Sequence, residues 1–342
     1  MFKKYFSFDL KLSVLFLLLA GVYGFFAMGG IEHSLSSMFI CLVLAILEIV
    51  MSFDNATMNA HVLEDMDEKW RRRFLIYGIL IAVFGVRLIL PDLIISIAGH
   101  MTFWEAIKLS FVNHIKYAEI LKSAHVIISA FGGSFLMLVT LEFFLDEEKD
   151  NHWIQFIEEP LNKISKRLGA EMLAVTIAIS VLVILSLLAP KDIGYSILIS
   201  GSLGILVRFG VKMLNNFLEN DTANLIVRSG IGTFIYLEIL DASFSFDGVI
   251  GALVITNQIV FIMIGLGIGA LFVRSLTLLM VDKGTLNTYK FMSHGAFYAM
   301  ASLTTIMFIT MFKEVSEFIT VGFSIFFIGA SILYSKYIST EK

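Results

Sequence analysis

Charge is the first thing this chain is short of. Asp, Glu, Lys and Arg make up 16% of its 342 residues, against about 25% in soluble domains. A formal net charge of −4 leaves no basic stripe of the kind a nucleic-acid partner requires. The single cysteine, Cys41, excludes an intramolecular disulfide and any thiolate-based zinc or iron–sulfur site. The three prolines, at positions 91, 160 and 190, leave both motif-bearing segments described below uninterrupted.

Apolar residues take the place of the missing charge. They make up 58% of the chain, and the mean hydropathy is +0.86. So few charges cannot cover that much apolar surface in water, so the expected fold is an all-α polytopic membrane protein. Stretches of roughly 20 apolar residues mark spans. Ten are predicted, at residues 12–28, 38–60, 74–98, 125–145, 172–189, 193–214, 226–255, 260–281, 291–311 and 318–337. The apolar run after Lys3, Lys4 and Lys11 is long enough to be an uncleaved first helix rather than a signal peptide.

The distribution of Lys and Arg among short loops places both termini in the cytoplasm, along with Lys69–Arg73 and Lys163–Arg167. The expected location is a bacterial inner membrane. The chain divides into a first membrane half (1–145), a charged cytoplasmic linker (146–170) expected to be a solvated connector, and a second membrane half (171–342). Residues 100–124 fit an interfacial helix.

The halves carry matching motifs. One reads Glu48-Ile49-Val50-Met51-Ser52-Phe53-Asp54-Asn55-Ala56 and the other Glu238-Ile239-Leu240-Asp241-Ala242-Ser243-Phe244-Ser245-Phe246-Asp247-Gly248. Ser-Phe-Asp recurs, with an acid four residues before its serine in both copies. Each motif is followed by an apolar span with one internal arginine, Arg87 or Arg274. The copies are five crossings apart and so run in opposite directions, the inverted-repeat plan that sites ion binding where the halves meet.

A charge at mid-membrane costs about 2.5–3.5 kcal/mol on insertion scales, so these acids need partners. Against five carboxylates (Glu48, Asp54, Glu238, Asp241, Asp247), two arginines leave a formal charge of −3. One divalent ion and one proton would balance it. At helical spacing Glu48, Ser52, Asn55 and Asn59 share one stripe, while Asp54 faces elsewhere. In the second copy Glu238, Asp241, Ser245 and Gly248 share a stripe and Asp247 falls off it. Either the helices break near Ser-Phe-Asp, exposing backbone carbonyls as ligands, or each copy faces two neighbours. The donors are hard oxygens, suited to Mn²⁺, Ca²⁺ or Mg²⁺ rather than Zn²⁺ or Cu⁺. His61, near the end of the first acidic segment, is a lesser candidate.

These signatures resemble those of the TerC-like membrane proteins, named for tellurium resistance. The resemblance covers roughly residues 38–311 and includes the arginine after each signature. It implies an integral membrane protein that exports manganese or supplies metal to secreted enzymes. Carried over residue by residue, it makes Glu48, Asp54, Asp241 and Asp247 ion ligands with Asn55 beside them, supported by Ser52, Glu238, Ser245 and Gly248. Arg87 and Arg274 become counter-charges. The chain departs from the family pattern at Gly248, where a serine is expected, and at Val249-Ile250-Gly251.

The expected function is transport, with export the expected direction, of a hard divalent cation such as Mn²⁺, coupled to protons that exchange on the same carboxylates. The expected partners are the lipid bilayer, the cation and protons. No permanently bound cofactor and no enzyme activity are expected. Gly265, Gly267 and Gly269 lie in an apolar helix with no strand before them, which suits close packing rather than phosphate binding. Two other readings remain. The acids and arginines could be buried ion pairs in a structural or sensory protein, or paired aspartates could catalyse hydrolysis in a membrane enzyme.

Overall fold

The computed structural model describes residues 2–64, 66–81, 85, 87, 89–147, 149, 151–219, 225–256, 258–313 and 315–340, and these form helices without a strand. The side chains of Ser245, Phe246 and Asp247 lie outside the described set. The helices are α1 (Phe2–Gly24), α2 (Ile31–Met51), α3 (Phe53–Glu64), α4 (Glu68–Leu80), α5 (Leu90–Ala98), α6 (Phe103–Val112), α7 (His114–Ser123) and α8 (His125–Phe144). Then follow α9 (Gln155–Leu168), α10 (Ala170–Leu188), α11 (Lys191–Glu219), α12 (Leu225–Ile255), α13 (Ile259–Asp282), α14 (Thr285–Thr288), α15 (Met292–Thr310) and α16 (Glu317–Thr340).

Among the described residues, eight helices are long and apolar enough to cross a membrane: those at 5–24, 31–51, 125–144, 170–188, 191–213, 259–282, 292–310 and 319–338. Exposed side chains such as Leu187, Leu188, Ile199 and Leu206 on α10 and α11 present the apolar surface that lipid solvates. The protein is therefore an all-α, multi-pass membrane protein. The other two predicted spans take different forms. Residues 74–80 lie in α4 and 90–98 in α5, and 226–255 lie in α12, the helix that carries Glu238, Asp241 and Asp247.

The chain forms two compact units that do not follow its order. Unit 1 is Met1–Ala124 with Leu237–Gly284, and unit 2 is His125–Tyr236 with Thr285–Lys342. Both acidic motifs belong to unit 1.

In unit 1, α1 and α2 form a hairpin whose corner needs Gly29 and Gly30, both at positive φ. α13 packs along α1, α2 and α3. A methyl at Gly265 would lie 2.5 Å from Leu44 Cβ, and Gly269 faces Glu48 just as closely, so these glycines form the close-packing face their spacing suggests. At Ser52 the backbone turns to φ −98° and ψ 19°, ending α2 inside the first motif. The hydrogen bonds Ser52 N–H to Glu48 O and Ala56 N–H to Ser52 O survive, so the first copy bends without unwinding. The second copy runs unbroken through α12. The backbone therefore bends in one copy only, at Ser52, and exposes no row of carbonyls.

In unit 2, α8 packs against α10, α11 and α15. Residues 146–170 correct the expectation of a solvated connector. They contain α9, which buries Glu158, Asn162 and Ser165 at helical spacing on one face. Asn162 donates to Asp146 O (2.8 Å) and Ser165 to Leu145 O. Glu158 is fully buried and accepts from Lys149 Nζ (2.8 Å), Tyr298 Oη (3.1 Å) and Ile154 N (3.2 Å). Burial pushes its carboxyl up, but the hydrogen bond and charge of Lys149, with the Ile154 amide, outweigh that and hold it below the ordinary 4.5. Arg208 donates through Nε to Glu142 (2.9 Å) and lies over the Tyr236 ring.

Candidate cation site

The site lies wholly within unit 1, on α2, α3, α12 and α13 and the segment that carries Arg87. Each arginine is paired with the glutamate of its own repeat. Arg87, almost wholly buried, donates through Nη2 to Glu48 Oε1, which also accepts from Ser52 Oγ (3.0 Å). Arg274 donates through Nη1 to the carbonyl of Phe74 (2.9 Å), lies 4.0 Å over that residue's ring and reaches Glu238 Oε1 at 3.5 Å. The two counter-charges suggested by sequence thus hold the two glutamates, and neither glutamate is a bare charge.

The copies touch through a different pair. Asn55 Nδ2 donates to Asp241 Oδ1 at 2.6 Å, joining residues 186 positions apart. A carboxylate can only accept, so this bond fixes which way the amide faces and leaves Asn55 Oδ1 turned from Asp241. Asn55 Oδ1, Asn59 Oδ1 and Asp241 Oδ2 are buried acceptors with no hydrogen-bond partner among the described residues. Their residues are only 2%, 4% and 7% exposed. All three residues line one cavity with Glu48, Arg87, Arg274 and Thr277. Its volume is about 10 Å³, room for one water-sized body. Unsatisfied buried oxygens each cost about 1–3 kcal/mol, so three around one cavity call for a proton donor or a cation.

The other sequence candidates fall elsewhere. Asp54 is buried at the start of α3 and accepts from the Asn55 amide (2.9 Å), outside the cavity lining. Glu238 also lies outside the lining, and its Oε2 is a further buried acceptor without a partner among the described residues. Gly248 packs against Glu48: a methyl there would lie 2.8 Å from Glu48 Oε2, which explains glycine in place of the expected serine. The side chains of Ser245 and Asp247 lie outside the described residues. His61 is half-buried on α3 and away from the lining.

Among the described residues, no three His, Cys, Asp or Glu side chains come together as a metal cluster. Of the expected ligands, Glu48, Asn55 and Asp241 line the cavity, with Asn59 beside them. Asn59 was visible in the sequence only as part of a polar stripe; its cavity position depends on the α3–α12–α13 packing. Gly78 gave no signal at all, yet any side chain there would collide with the Arg274 guanidinium.

No curated protein and no solved structure matches this chain. The family model described as "Protein of unknown function (DUF475)" matches residues 53–341, nearly the whole chain from the first acidic motif onward, and the protein belongs to that family.

Proposed function

We propose that the protein is a membrane transporter of a hard divalent cation, with Mn²⁺ the favoured substrate and export the favoured direction. The observation that carries this reading is the cavity at the contact between the two motif copies, lined by three residues that each bury an oxygen with no donor among the described residues. Carboxylate and amide oxygens are the ligands such ions take. The resemblance of the two signatures to TerC-like proteins supports the same substrate class.

Asp241 is the group on which proton and cation would exchange. Its Oδ2 has no hydrogen-bond partner among the described residues, while Oδ1 accepts from Asn55. Deprotonation presents the oxygen to the ion, and protonation supplies the missing donor and releases the ion, so the two fluxes oppose each other. Arg87 and Arg274 keep Glu48 and Glu238 compensated whether or not the ion is present.

The test is flux in proteoliposomes with Mn²⁺, Ca²⁺, Mg²⁺ and Zn²⁺, comparing wild type with Asp241→Asn and Asp54→Asn. Saturable flux of a hard ion, lost in Asp241→Asn, is the expected outcome. No flux for any ion from folded protein would overturn the reading. The paired arginines favour a second reading, a structural or sensory protein held by buried ion pairs. The charge swap Glu48→Arg with Arg87→Glu separates the two: a purely structural pair tolerates it, and a cation site does not.

A further inference from the structure

We infer that Asn59 is the residue with which this chain discriminates against Mg²⁺, its amide oxygen standing where a water retained by that ion would have to sit. The inference rests on the cation reading above and adds the basis of ion choice. Among the described residues no three carboxylates converge, and the further ligands they offer beside Asp241 are neutral oxygens. Asn55 and Asn59 supply them, one helical turn apart on α3, with Asp241 facing them from α12.

The size of the cavity decides which ions fit. At about 10 Å³ it holds one water-sized body and excludes an ion with its waters. Mg²⁺ dehydrates reluctantly and keeps several waters, whereas Ca²⁺ readily takes amide carbonyls in irregular geometry. Mn²⁺ accepts the same carboxylate and carbonyl donors. A cavity that fits the bare ion and supplies oxygens from three side chains therefore selects against Mg²⁺. Asn59 lines the cavity, and its Oδ1 has no partner among the described residues. Truncation to alanine both removes a ligand and makes room for a water.

The experiment uses the purified full-length chain. Metal-dependent thermal stabilisation is measured in detergent with Mn²⁺, Ca²⁺ and Mg²⁺, and Mg²⁺ competition against Mn²⁺ uptake is measured in proteoliposomes. Wild type is compared with Asn59→Ala and Asn59→Asp. In Asn59→Ala the half-stabilising Mn²⁺ concentration is expected to rise roughly tenfold, the scale of losing one supporting contact at a metal, and Mg²⁺ to compete about tenfold better relative to Mn²⁺. Asn59→Asp keeps the side-chain shape, so it decides the matter if the alanine variant fails to fold. It is expected to bind every divalent ion more tightly and to lose that gain at acidic pH. If wild type responds to an ion and both variants superimpose on it, Asn59 borders only a water and the inference falls while the cation reading stands. If wild type responds to no ion and carries no flux, both fall.

Discussion

A methyl at Gly248 would stand 2.8 Å from Glu48 Oε2, so the carboxylate must shift to admit one. Gly248→Ala should therefore push the carboxylate off Arg87, lower the melting temperature and weaken cation binding together, as thermal unfolding with and without ion would register. Arg87→Ala is the harsher change, since it leaves Glu48 buried without its cation. Breaking a buried pair in this way costs about 3–5 kcal/mol. Adding Glu48→Gln should recover part of that loss, and a double-mutant comparison of melting temperatures measures how much. At this scale the sequence was informative about charge, because a carboxylate in an apolar run stands out against lipid cost. It was uninformative about neutral partners. Asn59 and Gly78 carry no such mark, and their roles exist only once α3, α4, α12 and α13 meet.

Helix α9 shows how a segment's polarity can mislead. Its charges suggested a solvated connector, yet Glu158, Asn162 and Ser165 point inward and their partners come from the preceding loop and from α15. Glu158→Gln keeps the shape but removes the charge that compensates the largely buried Lys149. It should increase protease cleavage within residues 147–169 and leave the α8 core intact, which limited proteolysis with fragment mapping would reveal. The sign with pH follows from the lowered carboxyl: its contribution is present above the ordinary 4.5 and is lost as pH falls through the folded value. Acidification below about 4.5 should thus loosen wild-type α9, whereas Glu158→Gln should be insensitive over that range. The bend at Ser52 was readable as a possibility from the motif, but its restriction to the first copy was not. Identical Ser-Phe-Asp letters sit at a helix boundary in one copy and within a continuous helix in the other.

For the molecule as a whole, composition sufficed to establish the all-α membrane class, while the division into units did not follow from reading the chain in order. The opposed orientation of the two motifs is an expectation of the span count and can be checked directly. In a background of Cys41→Ala, single cysteines at Lys69 and Thr256 should react with an impermeant reagent from opposite faces of the membrane. Labelling from one face would mean that α4 and α5 do not complete a crossing, and the repeats would then be parallel. The interleaving of units has a consequence for the order of assembly. Glu48 and Arg87 are 39 residues apart, so their pair can close early during synthesis. Asn55 waits 186 residues for Asp241. Through the whole translation of unit 2's central helices, the amides of α3 have no partner from the second motif. A ribosome stalled before residue 237 would release a chain whose charges are already settled but whose amides are still exposed, a state that cellular quality control could distinguish from the finished protein.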